Sequence, residues 1–235
     1  MIQTIRFPTD VALETTYLND IRFDLRRGDA GMAFITDSGV GAGPNGLIVV
    51  DLESNRSWRR LSGHPAMQPV SGFVAIIEGR PMPGLAIGAD GIAISADGER
   101  LYVCPLSSRR LYSVSVAALA DEETSDEGVA ATLVDHGEKG ASDGLESDAD
   151  GRIYASNYEQ GAILVRQPSG EWETLVHRPD LVFVDTLSVG ADGHIYYTVN
   201  QVHRQPLLQG GNDLRARPYA LLRTPIAGGP VRLRR

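Results

Sequence analysis

The stretch Asp90-Gly-Ile-Ala-Ile-Ser-Ala-Asp97-Gly98 decides the fold, because the chain repeats its pattern twice more. In each copy an acidic residue opens a short, mostly apolar run, and an Asp-Gly pair follows seven positions later. The other copies are Asp143-Gly-Leu-Glu-Ser-Asp-Ala-Asp150-Gly151 and Asp185-Thr-Leu-Ser-Val-Gly-Ala-Asp192-Gly193. Asp-Gly between two apolar runs is a strong hairpin signal. A strand-turn-strand unit that recurs along a chain indicates sheets stacked side by side.

A looser fourth copy lies upstream, where Asn19-Asp-Ile-Arg-Phe-Asp24 precedes a second apolar run. Alternating β-branched, aromatic and small residues, with Gly or Pro between the runs, extend each copy into further strands. We therefore predict an all-β fold, a β-propeller, in which radial repetition protects the sheet edges. A β-sandwich is the alternative, but it does not require an acidic residue at the same place in every unit. The predicted strands are 18–24, 32–39, 47–52, 58–61, 90–95, 101–106, 110–116, 131–137, 143–148, 152–157, 162–167, 172–177, 185–190, 194–200 and 220–226.

Length and charge limit the function. The 235 residues fit a single propeller domain over 1–235, with a long excursion at 201–219 and at most one helical turn near 116–121. The net charge is −8 and the sequence pI about 5.1, so a nucleic-acid backbone would be repelled. No apolar run is long enough to cross a membrane. The lone Cys104 is expected to be a buried, inert thiol. A small-molecule ligand is therefore the expected partner, and the oligomeric state is left open.

The repeated acidic position is the candidate site. The innermost strand of each propeller blade lines the axis, so residues at equivalent strand starts should converge there: Asn19, Asp90, Asp143 and Asp185. Glycines follow two of these acids, at Gly91 and Gly144, and allow close approach of the backbone. Converging carboxylates need a hard cation such as Ca²⁺, an amine ligand, or protons. In the alternative, each Asp only caps its own turn.

Four other residues are weaker candidates. Asn157 and Asn200 end second strands, and Thr186 adjoins Asp185; in the alternative, Asn200 merely turns the chain. His203 lies on the excursion, and the unperturbed pKa of a histidine suits proton transfer, although a surface histidine is the alternative. We therefore assign catalytic roles to Asp143, Asp185 and His203, and ligand contacts to Asn19, Asp90, Asn157, Thr186 and Asn200.

The sequence resembles the major royal jelly protein/yellow family, and most closely its bacterial, dopachrome tautomerase-related branch. The resemblance rests on Tyr17-Leu-Asn-Asp-Ile-Arg-Phe-Asp24, Ala33-Phe-Ile-Thr-Asp-Ser-Gly39, Leu47-Ile-Val-Val-Asp-Leu52, Trp58-Arg-Arg-Leu61, Asp90-Gly-Ile-Ala-Ile94 and Thr198-Val-Asn-Gln201. It implies a six-bladed propeller with an axial ligand cavity. This chain would cover about four blades and lack N-terminal ones, with residues 1–8 as the outermost strand of an otherwise missing blade.

The resemblance implies three functions. The first is binding of an amine or catechol-like ligand with dopachrome tautomerase-like isomerisation, and the second is amine binding without turnover. The third is metal-dependent lactone or ester hydrolysis of the gluconolactonase type, with Asp90 and Asp143 as ligands of a divalent metal such as Ca²⁺. The resemblance also implies an extracellular or periplasmic location, although this chain shows no signal peptide.

Overall fold

Four antiparallel sheets follow one another along the chain in the computed structural model, which describes residues 3–39 and 43–234. Within each sheet the strands are hydrogen-bonded in chain order. The first sheet has strands β1 (Leu18–Asp24), β2 (Met32–Asp37), β3 (Gly46–Asp51) and β4 (Ser57–Arg60), and a hairpin β5 (Ala75–Ile77) and β6 (Arg80–Met82) follows it. The second sheet has β7 (Ala89–Ile94), β8 (Arg100–Pro105), β9 (Arg110–Ser115) and β10 (Val134–Glu138). The third has β11 (Leu145–Ser147), β12 (Ile153–Asn157), β13 (Ala162–Arg166) and β14 (Trp172–His177), and the fourth has β15 (Val184–Val189), β16 (His194–Val199) and β17 (Ala220–Pro225).

The four sheets are arranged as blades of a β-propeller. Their first strands β1, β7, β11 and β15 contact one another in that order and form the innermost layer. Apolar side chains from neighbouring sheets fill the space between the blades. Between the first and second sheets these include Phe34, Val49, Ile92 and Val103, and between the third and fourth they include Ile163, Val165, Leu187 and Ile195. The predicted all-β propeller is confirmed, and the described residues account for four of its sheets.

The predicted strands are present, and most of their bounds differ by one or two residues. The strand predicted at 143–148 is shorter, as β11 begins only at Leu145. The reason is local: the amides of Asp143 and Gly144 donate to the hydroxyl of Ser156, at 3.0 and 3.2 Å, instead of entering the ladder. The acidic position of the third copy therefore lies just before its strand.

Residues 1–8 were expected to form an outermost strand, and this prediction is wrong for residues 3–8, since residues 1 and 2 lie outside the described part. Residues 3–8 form no strand. Instead Ile5 and Phe7 pack with Val11 against one face of the first sheet. Pro8 lacks an amide donor, and its carbonyl accepts from Val11 and Ala12 to make a turn.

Two five-residue helices connect β9 to β10. The helical turn expected at 116–121 is confirmed as α1 (Val116–Ala120), which Ser115 caps. The acidic stretch 121–127 ends in the first turn of α2 (Asp126–Ala130). The hydroxyl of Ser125 accepts from the amide of Gly128, and acidic residues in the first turn suit the positive end of the helix. No helix in residues 3–39 and 43–234 is long and apolar enough to span a membrane.

The hairpin β5–β6 and the excursion at 201–219 pack against each other. Sequence reasoning predicted the excursion but missed the hairpin. Two 3₁₀ turns shape the excursion, at Val202–Arg204 and Pro206–Leu208. A separate apolar cluster joins the two segments, and its members include Ile77, Met82, Leu106, Tyr158, Phe183 and Leu208.

Candidate functional site

Glycines let the inner strands approach closely at the repeated acidic position. A Cβ atom added to Gly91 would lie 2.3 Å from the carbonyl oxygen of Asp143. A Cβ atom added to Gly144 would lie 1.9 Å from the carbonyl oxygen of Asp185. Real Cβ atoms do not come so near, so only glycine fits either place. The close approach expected from the sequence is confirmed, and it sets the backbones of three acidic positions side by side.

Irregular strand pairing marks the same position. The register shifts between Leu18 and Ile21 in β1, between Ala89 and Ile92 in β7, and between Val184 and Leu187 in β15. Each shift spans the residues of the acidic motif. Bulges of this kind re-aim side chains and occur often beside functional sites. The repeat therefore encodes a local distortion as well as a strand.

Asp90 and Asp143 form the buried part of the site. Their exposed fractions are 4% and 7%, and their carboxyl groups interact with each other. Burial raises the pKa of Asp90 to about 8, and the nearby Asp20 and Asp185 contribute to the rise. Burial, followed by the charge of Asp90, raises the pKa of Asp143 well above its ordinary value. The pair is therefore protonated at neutral pH.

Amide side chains donate hydrogen bonds to two of the carboxyl groups, those of Asp90 and Asp185. Asn19 donates from Nδ2 to Oδ1 of Asp90 at 2.7 Å and to the hydroxyl of Ser38 at 3.0 Å. Asn200 donates from Nδ2 to Oδ2 of Asp185 at 2.7 Å. The hydroxyl of Thr186 donates to Oδ1 of Asp185 at 3.4 Å. Asn19, Asp90, Asp185, Thr186 and Asn200 thus lie in two hydrogen-bonded groups at one end of the inner strands.

Asp20 belongs to the same site and was missed by sequence reasoning. Burial raises its pKa, the charge of Arg22 opposes this rise, and the charge of Asp185 adds to it. The signal was present, because Asp20 directly follows Asn19 in the fourth copy. Strand alternation would place neighbours on opposite faces, and the register shift in β1 removes that expectation. We call Asn19, Asp20, Asp90, Asp143 and Asp185 the acidic layer.

The acidic layer carries uncompensated negative charge. Within residues 3–39 and 43–234, no Arg, Lys or His side chain forms an ion pair with Asp90, Asp143 or Asp185. The guanidinium of Arg22 donates to the carbonyl of Leu145 at 2.8 Å and lies 3.7 Å from Glu146. Arg22 and Glu146 line a cavity of about 570 Å³ together with residues 230–234. The layer is therefore an attractive place for a cation.

Two site residues predicted from the sequence, Asn157 and His203, form their contacts away from the acidic layer. Asn157 exchanges hydrogen bonds with Gln160, at 3.1 and 3.2 Å, and so caps a turn. His203 lies beneath the hairpin, where its Nε2 is 3.1 Å from a carboxylate oxygen of Glu78. Its ring stacks on Phe183, with 5.8 Å between the ring centres. Neither side chain forms a hydrogen bond with the acidic layer in the described part of the chain.

The side chains do not fit a metal site as they are arranged. In the two described ranges, no group of three or more His, Cys, Asp or Glu side chains is placed so that it could hold a metal ion. Oδ1 of Asp90 accepts from the NH₂ group of Asn19 at 2.7 Å, and Oδ2 lies 3.5 Å from the hydroxyl of Ser38, so both oxygens already face hydrogen-bond donors. The metal-ligand roles of Asp90 and Asp143 stay a prediction that this geometry does not favour.

Comparison with known proteins decides the family. A model of the major royal jelly protein family matches residues 1–215. The chain belongs to the major royal jelly protein family. A search of the curated proteins found no match.

Several solved structures have folds similar to that of this chain. A luciferin-regenerating enzyme has a TM-score of 0.58 and 15% identity, with 94% of this chain and 66% of that chain covered. Regucalcin from Agrobacterium tumefaciens, a calcium-binding protein, has a TM-score of 0.57, 16% identity, and coverages of 93% and 65%. A gluconolactonase from Xanthomonas campestris has a TM-score of 0.52, 14% identity, and coverages of 83% and 57%. These likenesses show the fold alone, and the chain spans less than two thirds of each of the three.

Proposed function

We propose that this protein binds a small cationic amine at the acidic layer. The observation that carries the proposal is the set of carboxylates without an ion-pair partner, joined by the protonated pair of Asp90 and Asp143. Four carboxyl groups and one shared proton leave an excess of negative charge in a largely buried place. An ammonium group is a compact cation with several hydrogen-bond donors. It would relieve the mutual repulsion of the carboxylates. It would also donate hydrogen bonds to carboxylate oxygens that form no ion pair with a side chain in the described part of the chain.

The layer has a closed side and an open side. Asp90 and Asp143 are buried, whereas Asn19 and Thr186 are exposed and Asp185 is partly exposed. An amine arriving from the open side would meet Asp185 first. Asn200 and Thr186 already fix that carboxylate by hydrogen bonds, so little ordering is needed on binding. Catecholamines combine such an amine with an aromatic body, which is the ligand class that the family resemblance implies.

Proton transfer on a bound ligand is the second candidate, in the manner of a dopachrome tautomerase. A single observation favours it: burial places the pKa of Asp90 at about 8, close to neutral pH. Such a carboxyl can both give and take a proton near neutrality. In this scheme Asp90 and Asp143 would move the proton and Asp185 would hold the substrate. His203, whose polar partner is Glu78, would have no part in it.

Calorimetric titration with dopamine tests the proposal. We expect saturable binding by the wild-type protein, and at least roughly tenfold weaker binding by Asp185→Asn, since a charge-assisted hydrogen bond is lost. Asp192→Asn is the matched control, because it removes the same charge from an exposed side chain of the same blade. The anionic catechol 3,4-dihydroxyphenylacetate should not bind at this place. Equal affinity of Asp185→Asn and the wild type for dopamine would refute the proposal.

We also propose an extracellular or periplasmic location, which the family resemblance supports. Expression of the gene in its own host, followed by fractionation and immunoblotting, would test it. Recovery of the protein only from the cytoplasm would contradict it.

A further inference from the structure

A second cavity lies away from the acidic layer and shares no residue with it. Its volume is about 800 Å³, and it lies between the hairpin β5–β6 and the excursion 201–219. Glu78, Arg80 and Met82 line it on the hairpin side, and His203, Arg204 and Leu208 line it on the side of the excursion. We call it the side cavity. Cavities of this size accommodate small organic molecules.

Glu78 holds the two walls of the side cavity together. Its carboxylate accepts from Nη2 of Arg204 at 2.5 Å and lies 3.1 Å from Nε2 of His203. The hydrogen bond from Arg204 lowers the pKa of Glu78, so this carboxyl is ionised at neutral pH. Nε2 of His203 must therefore carry the hydrogen that this contact needs. The cavity thus has a fixed shape on one side.

The two nitrogens of the His203 imidazole have different surroundings. The side chain is only 2% exposed, and Nδ1 has no hydrogen-bond partner among the described residues. Burial lowers the pKa of His203, which favours the neutral ring with its hydrogen on Nε2. Nδ1 is then a buried acceptor without a donor among the described residues. It is closed off from solvent, so a ligand in the side cavity would not reach it.

Arg80 supplies a further charged group to the wall of the side cavity. It is exposed, and within the described part of the chain its guanidinium forms no ion pair or side-chain hydrogen bond. Arg204 is neutralised by Glu78, so the side cavity has an excess of one positive charge from Arg80. Apolar side chains supply most of the remaining wall. They include Ile77, Pro81, Met82, Pro83, Leu207 and Leu214, of which Leu207 is 89% exposed and Leu214 54% exposed.

We propose that the side cavity binds a small amphipathic carboxylic acid. The carboxylate would pair with Arg80, and the apolar body would cover the exposed leucines. A cationic amine, the ligand class proposed for the acidic layer, has the wrong charge for this cavity, so the two sites would take opposite classes of ligand.

Titration with one matched series of probes tests the proposal. The probes are 3-phenylpropanoate and its uncharged amide. We expect the carboxylate to bind at least tenfold more tightly than the amide. Arg80→Gln should weaken binding of the carboxylate about tenfold. The exposure of Arg80 means that this variant should fold as the wild type does.

Arg56→Gln is the matched control, because Arg56 is an exposed arginine of the first sheet paired with Glu122. This variant should bind the carboxylate as the wild type does, and Arg80→Gln should leave dopamine affinity unchanged. The proposal fails if the carboxylate and the amide bind equally, if neither binds at millimolar concentration, or if Arg80→Gln has no effect. None of these results depends on whether dopamine binds the acidic layer.

Discussion

The carboxyl groups of Asp90 and Asp143 interact with each other at the starts of two neighbouring inner strands. Each opens its copy of the repeated motif, and the glycine after each lets the next inner strand approach. Burial raises the pKa of both carboxyl groups, so the pair is protonated at neutral pH. The repeat that builds the blades therefore also builds a protonated acid pair at their centre.

Stability should fall as the pH rises from about 4 to about 8. The pKa of Asp90 is raised from 3.8 to about 8 on folding, so the folded state keeps a proton that the unfolded state loses over this interval. The contribution to stability is complete below the unfolded pKa and is lost as the pH passes the folded pKa. Asp90→Asn keeps an oxygen for Asn19 and gains an amide donor for Asp143. It should raise the free energy of unfolding at pH 8 by roughly 1 kcal/mol or more.

Urea unfolding at a series of pH values measures this effect. Asp10→Asn, at an exposed carboxyl, is the control and should keep the wild-type slope. A wild-type slope that Asp90→Asn leaves unchanged would show that the pair does not hold the proton.

Gly144→Ala should destabilise the protein by about 1–3 kcal/mol, because the added methyl group meets the carbonyl oxygen of Asp185. Gly229→Ala is the control, since nothing lies within 4 Å of its Cβ position and its φ is not in the left-handed region. Thermal or urea unfolding compares the two. Similar stability of both variants would mean that the inner strands are not as close as the structure places them.

Asn157 and Asn200 should respond differently to substitution by alanine. Asn157→Ala removes a turn cap and should cost about 1 kcal/mol of stability without changing dopamine affinity. Asn200→Ala releases the carboxylate of Asp185 and should weaken dopamine binding severalfold. Paired unfolding and calorimetric titrations separate the two roles. Weaker dopamine binding by Asn157→Ala would return Asn157 to the binding site.

The architecture followed from the sequence because the signals were local and repeated. Strand alternation, Asp-Gly turns and the glycines at 91 and 144 each report on neighbours in the chain or on the same position of the next blade. The convergence of Asn19, Asp90, Asp143 and Asp185 followed from that repetition alone. These residues were placed correctly although they are far apart in sequence.

Non-repeated contacts could not be predicted in this way. The hairpin β5–β6 occurs once, and its pairing with the excursion depends on Glu78 meeting His203 and Arg204, more than a hundred positions later. The inclusion of Asp20 depends on a register shift that single-strand alternation does not reveal. Asn157 and Asn200 look alike at strand ends, but only the structure shows that one caps a turn and the other holds Asp185.

Proton release on amine binding tests the central claim most directly. Titrations of dopamine into the protein at pH 7, in buffers of different ionisation enthalpy, give the number of protons exchanged. An ammonium group beside the acidic layer would lower the pKa of Asp90, and the pair with Asp143 would lose its proton. We predict release of close to one proton for each dopamine bound by the wild type and almost none by Asp90→Asn. Binding without proton exchange, or with proton uptake, would contradict the account.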